Sequence, residues 1–250
     1  MDADTTIGGP RHSFPPTRHS IVHAIRSEDD GIREQAFDQL VAVYWKPVYK
    51  YIRMKWSVSN EDAKDLTQEF FAVAFEKEFF ESYDPAKSKF RTFLRVCVDG
   101  FVANAKKAAA RIKRGGQVQL LSLDFETAEN ELANIQLAND ADPEEFFDRE
   151  WVRSLFSLAV DDLKAHCQTS GKLTHFALFE RYDLDTTVEG RTSYAQLARE
   201  FQLPVTQVTN FLAFARSEFR HYILDRLRRI TGSDEEFRSE VRRLLGVELR

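Results

Sequence analysis

Apolar residues recur along the chain at three- and four-residue spacing, in blocks separated by polar or Gly/Pro breaks, the signature of amphipathic helices. Ile21, Ala24 and Ile25 share one face, and after a polar break at Ser27–Asp30 the series Phe37, Leu40, Val41, Tyr44, Val48, Tyr49 and Ile52 defines a second helix. Pro47 falls inside that series and predicts a kink or restart, because proline lacks the N–H that a helix interior needs. A third helix opens at Ser59-Asn60-Glu61-Asp62, where Ser or Asn caps and the acids suit the N-terminal dipole, and runs through Leu66, Phe70, Val73 and Ala74 to about Phe80. Asp84-Pro85 marks a loop. A fourth helix starts near Lys89, carries Phe93, Leu94, Val96, Cys97, Phe101 and Val102, and ends at Gly115-Gly116. From Pro143 the residues Phe146, Phe147, Trp151, Leu155, Phe156, Leu158 and Val160 form a broad apolar face, read as the core of a second helical unit. Further helices are predicted over 172–182, 193–201, 205–229 and 234–245. There is no strand-like alternation of useful length and no internal repeat. The expected fold is all-α: two helical domains joined by an acidic linker, the second containing a helix-turn-helix.

The corresponding divisions are a flexible leader (1–18) with Gly8, Gly9, Pro10, Pro15 and Pro16, an N-terminal domain (19–116), the linker (117–142), a C-terminal domain (143–231) and a helical extension (232–250). Hydrophobic residues make up 43% and aromatic residues 12% of the 250 positions, enough for real cores. The two cysteines, Cys97 and Cys167, stand far apart in apolar contexts, so a disulfide framework is not expected and a reducing cytoplasm is. No apolar run reaches the roughly 20 residues of a membrane span, and no signal-peptide core follows Met1. The chain reads as soluble and cytoplasmic, without a membrane partner.

Net charge is −5, but the charge is segregated. Lys87, Lys89, Arg91, Arg95, Lys106, Lys107, Arg111, Lys113 and Arg114 face a single acid, Asp99, within 87–114. Such a stretch in an acidic protein implies a local anionic partner, for which a phosphate backbone is the commonest choice, or a solvated charged face. The linker reverses the sign with Asp124, Glu126, Glu129, Glu131, Asp140, Asp142, Glu144 and Glu145. These acids are expected to be solvated or to sit in a basic groove of a protein partner.

Residues 193–201 form a short amphipathic helix, Leu203-Pro204 a turn, and Val205 to Arg216 and beyond a second helix. Ala198 is small where the helices approach, and Leu197, Phe201, Leu203, Val208 and Leu212 supply the wedge between them. The spacing matches a helix-turn-helix whose second helix enters the major groove. Thr206, Gln207, Thr209 and Asn210 then point outward as hydrogen-bonding readers of base edges, with Arg216, Arg220 and His221 placed for phosphates. Gln202 stands where such turns often carry glycine, and Ala213 and Phe214 are apolar on the DNA side.

The blocks Glu61-Asp62-Ala63-Lys64-Asp65-Leu66-Thr67-Gln68-Glu69-Phe70-Phe71 and Phe90-Arg91-Thr92-Phe93-Leu94, followed by Asn104, resemble the N-terminal domain of extracytoplasmic-function RNA polymerase sigma factors. Tyr194-Ala195-Gln196-Leu197-Ala198 through Ala215-Arg216 resembles their C-terminal domain, and the likeness covers about residues 20–230. The resemblance implies a non-catalytic initiation subunit without cofactor or metal, whose partners are core RNA polymerase (the clamp helices of its largest subunit, and its flap) and promoter DNA. Asp62, Asp65, Gln68 and Glu69 would dock on the clamp helices. Lys87, Lys89, Arg91, Phe93, Arg95, Asn104, Lys106, Lys107 and Arg111 would hold the melted minus-ten element, with a base flipped into a pocket. Thr206, Gln207, Thr209, Asn210, Ala213 and Arg216 would read the minus-thirty-five element. The linker would thread the polymerase cleft, its acids standing in for RNA. Nucleoid association follows from the same resemblance.

Lys64 departs from the family by placing a base in the docking helix, and Gly100 stands where relatives often have an Asn that contacts DNA. Periodicity places Thr67 outward, opposite Leu66 and Phe70. Phosphorylation there would add about two negative charges and offset Lys64, as in kinase-linked relatives. An anti-sigma factor or a Ser/Thr kinase is therefore a further expected partner. His166, Cys167 and His175 are candidate metal ligands by type, but no second Cys or carboxylate cluster has ligand spacing with them, so no metal site is expected. Two other function classes remain: a stand-alone helix-turn-helix regulator of duplex DNA, and an interaction protein that only titrates polymerase.

Overall fold

The computed structural model describes residues 20–76, 79–109, 122–134, 142–185 and 192–247. The expected leader, Arg111, Lys113, Arg114, the Gly115-Gly116 stop, residues 117–121 and 135–141 of the linker and the last residues of the extension lie outside them. The described residues form α-helices α1 (Ile21–Ala24), α2 (Asp30–Trp56), α3 (Asn60–Glu76), α4 (Phe90–Ala109), α5 (Phe125–Ala133), α6 (Pro143–Thr169), α7 (Leu173–Phe179), α8 (Tyr194–Glu200), α9 (Val205–Ile230) and α10 (Asp234–Leu245). A 3₁₀ turn at Phe79–Ser82 and a π turn at Glu180–Leu184 complete them, and no strand occurs among the described residues. The fold is all-α.

Side-chain caps set most of the helix starts, each satisfying an N–H that the first turn leaves without a partner. Asp29 accepts from Ile32 at 3.0 Å to open α2, and Ser59 accepts from Asp62 at 3.1 Å to open α3. Asp142 precedes Pro143, the favoured first residue of a helix, and Ser193 forms a reciprocal capping box with Gln196 at α8. Pro47 does not restart α2, which runs on for 27 residues. Proline removes the N–H that would bond the carbonyl four residues back, here Val43. The Ser154 hydroxyl of α6 donates to that carbonyl at 2.8 Å instead. A partner remote in sequence therefore supplies the missing donor.

Buried apolar residues form two clusters. The larger joins α1 to α5 with the first half of α6 (Phe147, Trp151, Leu155, Ala159), the end of α9 (Ile223, Leu227, Ile230) and α10 (Phe237, Val241). The smaller contains Leu163 and Cys167 of α6, Phe176, Leu178 and Phe179, Leu197 of α8, and Val208, Leu212 and Ala215 of α9. Phe219 and Tyr222 pack against both. The clusters thus part within α6 and α9, not along 117–142. This corrects the assignment of the 146–156 aromatic stripe to a second core: Phe147 stacks edge-on against Tyr51 of α2, and Trp151 is buried with it.

Candidate nucleic-acid interface

Three regions carry the residues singled out from the sequence: α3, α4 and the α8–α9 pair. In α3 the exposed side contains Asp62, Asp65 and Glu69, with Gln68 partly covered and Lys64 paired to Glu61 at 3.0 Å. The acidic row therefore faces solvent. Thr67 does not. It is fully buried, and its hydroxyl donates to the Ala63 carbonyl at 2.7 Å. The buried stripe is Ala63, Thr67, Phe70, Phe71 and Ala74, while Leu66 sits at its flank. A threonine whose hydroxyl bonds its own backbone presents its methyl group to the core, so its polarity misleads a periodicity argument. This corrects the expected phosphorylation site, because a kinase cannot reach the hydroxyl without opening the core.

The cations of α4 divide into two groups. At its start, Arg91 is buried, pairs with Asp148 of α6 at 2.9 Å and Glu240 of α10 at 2.5 Å, and lies 4.9 Å over the Trp151 ring. Lys89 reaches Glu240 at 2.5 Å. Arg95, also buried, pairs with Glu144 at 2.8 Å and approaches Asp99 at 3.6 Å. Asp99 in turn takes Lys55 at 2.8 Å and the Tyr51 hydroxyl at 3.1 Å. The expectation that Lys89, Arg91 and Arg95 offer their charge outward is therefore corrected: α6 and α10 supply their anions. Phe93 is half-buried against Tyr83 and Phe90, with ring centroids 5.2 and 6.2 Å away. Lys87 is exposed in the preceding loop near Asp84. At the end of α4, Asn104, Lys106 and Lys107 are exposed, and Lys106 lies 5.1 Å over the Trp56 ring. The outward stripe is Thr92, Val96, Gly100, Asn104 and Lys107, and a Cβ at Gly100 would meet open space.

The acidic linker has an internal partner as well. Phe125 and Ala128 of α5 are buried against α2, and Asp124 caps the helix. Glu129 pairs with Arg53 at 2.5 Å and lies 2.5 Å from the Tyr49 hydroxyl. Glu131 takes Lys46 and Lys50, each at 2.7 Å, and Lys50 also pairs with the buried Glu150 at 2.7 Å. Burial opposes the charge of Glu131, yet the two lysines hold its carboxyl below the usual range, and Arg53 does the same for Glu129. The basic groove expected on another protein is thus the Lys46, Lys50, Arg53 side of α2. The stripe is hidden in the sequence because its cations are spread along a helix whose apolar spacing marks it as core.

Helices α8 and α9 pack through Leu197, Val208 and Leu212, with Phe201 and Leu203 partly buried beside them. The turn between them closes with the Leu203 N–H donating to the Ala198 carbonyl at 2.9 Å. Gln202 adopts the left-handed backbone (φ 54°) that favours glycine. Val205, Thr206, Gln207, Thr209, Asn210 and Ala213 are all exposed on the first turns of α9, Thr209 with its hydroxyl bonded to the Val205 carbonyl at 3.1 Å. Arg216 is engaged elsewhere: Asp183 grips it at 3.0 Å through two nitrogens, and it lies 5.1 Å over the Tyr182 ring. Although burial disfavours its charge, the Asp183 carboxylate keeps its guanidinium firmly protonated. That corrects its assignment as a ready phosphate contact. His175 stacks on Phe211 at 3.8 Å, and burial lowers its basicity. No helix among the described residues is long and apolar enough to cross a membrane. Comparison with protein-family models, with curated proteins and with solved structures finds no match to this chain.

Proposed function

We propose that this chain is a promoter-recognition subunit of RNA polymerase that works as extracytoplasmic-function sigma factors do. In this reading the α8–α9 pair is a helix-turn-helix that reads duplex DNA through Thr206, Gln207 and Asn210. The acidic side of α3 (Asp62, Asp65, Glu69) docks on the polymerase, and α4 holds melted DNA. The observation that carries the reading is the row of exposed hydrogen-bonding side chains on the first two turns of α9, the part of a recognition helix that enters the major groove. The ordered blocks Asp65-Leu66-Thr67-Gln68-Glu69-Phe70-Phe71 and Tyr194-Ala195-Gln196-Leu197-Ala198 support it from the sequence side. Transcription in vitro with core polymerase on the promoter of its own operon tests the proposal. A transcript that depends on the protein and weakens on Thr206→Ala/Asn210→Ala supports it. A chain that never associates with core polymerase sinks it.

A second reading, a regulator of duplex DNA that acts without polymerase, is favoured by one observation. The α9 face is open, whereas the cations at the start of α4 are paired internally. Sequence-specific binding to duplex, with no association to core polymerase, would select it.

A further inference from the structure

The anions that occupy the start of α4 come chiefly from α10, the helix of the C-terminal extension. Glu240 is fully buried and receives Lys89 and Arg91, each at 2.5 Å, and Arg243 at 3.0 Å. Glu236, one turn earlier, accepts the Phe90 N–H at 2.9 Å and the Gly232 N–H at 2.8 Å, with the Tyr83 hydroxyl 3.3 Å away. Phe90 is the first residue of α4, and its N–H is one of those a helix leaves without an internal partner. Glu236 therefore caps α4 from another helix. The seat is a packed one: Phe237 and Val241, next to the two acids in sequence, are buried in the larger core. At Gly232 an added Cβ would stand 2.5 Å from the Tyr83 hydroxyl, so this approach requires glycine. Two carboxylates one turn apart, seated on a lysine, an arginine and a helix N-terminus, satisfy the same donors that phosphates satisfy.

We propose that α10 is a resident competitor for nucleic acid: Glu236 and Glu240 occupy the Lys89–Arg91 surface, so that α10 and the phosphates of single-stranded DNA bind α4 in mutually exclusive states. This rests on the strand-holding role given to α4 above. Because Phe237 and Val241 leave the core with α10, release takes a ligand that brings several phosphates at once. In the free protein the duplex-reading face of α9 is then open and the Lys89–Arg91 end of α4 closed.

The test is titration of a fluorescent oligothymidylate with the full chain at low salt, for the wild type, Glu240→Gln and Gly232→Ala. Hydrogen exchange of residues 234–245 is followed alongside. Glu240→Gln removes charge and Gly232→Ala wedges the joint against Tyr83, so the two weaken the seat by unrelated routes, and a folding defect in one leaves the other decisive. Both variants are expected to bind the oligonucleotide about tenfold more tightly, within the usual range of coupling between two sites. In the wild type the same DNA raises exchange in α10. Equal affinity in all three, with α10 exchange unmoved by DNA, overturns the competition while leaving strand holding intact. Absence of binding by every form, even where exchange shows α10 released, overturns strand holding itself and the competition with it.

Discussion

At the start of α9, Thr206, Gln207 and Asn210 face solvent; at the start of α4, Lys89, Arg91 and Arg95 face α6 and α10. The charged region is the one whose composition calls for an anionic partner, yet it is the neutral one that lies open. A run of cations announces that anions are near without saying whose they are. A buried cation must be paired, because the cost of removing it from water exceeds what apolar packing returns. A short neutral donor at a helix start carries no such obligation and stays on the surface.

Arg91→Ala gives the largest contrast between these regions. It leaves the buried Glu240 with fewer cations and removes the packing on Trp151, and is expected to cost about 3 kcal/mol in urea denaturation. Lys107→Ala, at the exposed end of the same helix, should stay within about 0.5 kcal/mol. Equal small effects would break the distinction between paired and open cations. Next in size, Thr206→Ala/Asn210→Ala should weaken binding to a selected duplex by about 2 kcal/mol with an unchanged melting temperature. Lys89→Ala should leave duplex binding of the free protein unaltered.

The paired region should also be the pH-sensitive one. Lysines and arginines hold Glu129, Glu131 and Glu240 below the ordinary carboxylate range, against the opposing effect of burial on each. A depressed folded pKa gives stability that is present above the unfolded value of about 4.5 and is lost as pH falls through the folded value. Burial raises Glu236, only partly countered by the N–H groups of Gly232 and Phe90, so its contribution has the opposite sign and fades as pH rises. Amide protection of α5, corrected for intrinsic exchange, should therefore fall as pH drops below about 4.5, while α8 and the first turns of α9 hold theirs and α10, where Glu236 and Glu240 act in opposite senses, changes less than α5. Uniform loss would contradict the contrast. The smallest effect concerns the turn before α9: Gln202→Gly relieves a left-handed backbone and should stabilise the protein by about 1 kcal/mol in the same urea assay, without changing duplex affinity.

Helix starts were legible where a capping residue and an apolar stripe coincide, as at Ser59, Asp142 and Ser193. What stayed hidden depends on partners remote in sequence. The continuity of α2 through Pro47 needs Ser154, more than a hundred positions on. The inward turn of Thr67 depends on its own backbone bond to Ala63, which no hydropathy pattern records. Pairing of Arg91 with Glu240 and of Lys50 with Glu150 joins segments whose charges, read locally, seemed to call for outside partners. The α9 face was legible because it is local: one turn, one apolar wedge and one outward row.

Hydrogen exchange of the full chain with and without core polymerase, on a DNA fork carrying the duplex upstream element and a single-stranded downstream arm, tests the central claim most directly. Duplex DNA alone should protect residues 205–213 and leave α10 unchanged. Core polymerase with the fork should add protection on the acidic side of α3 and on α4 while α10 loses it. Absence of protection at 205–213 with any DNA, together with no change in α3 on adding polymerase, would contradict it.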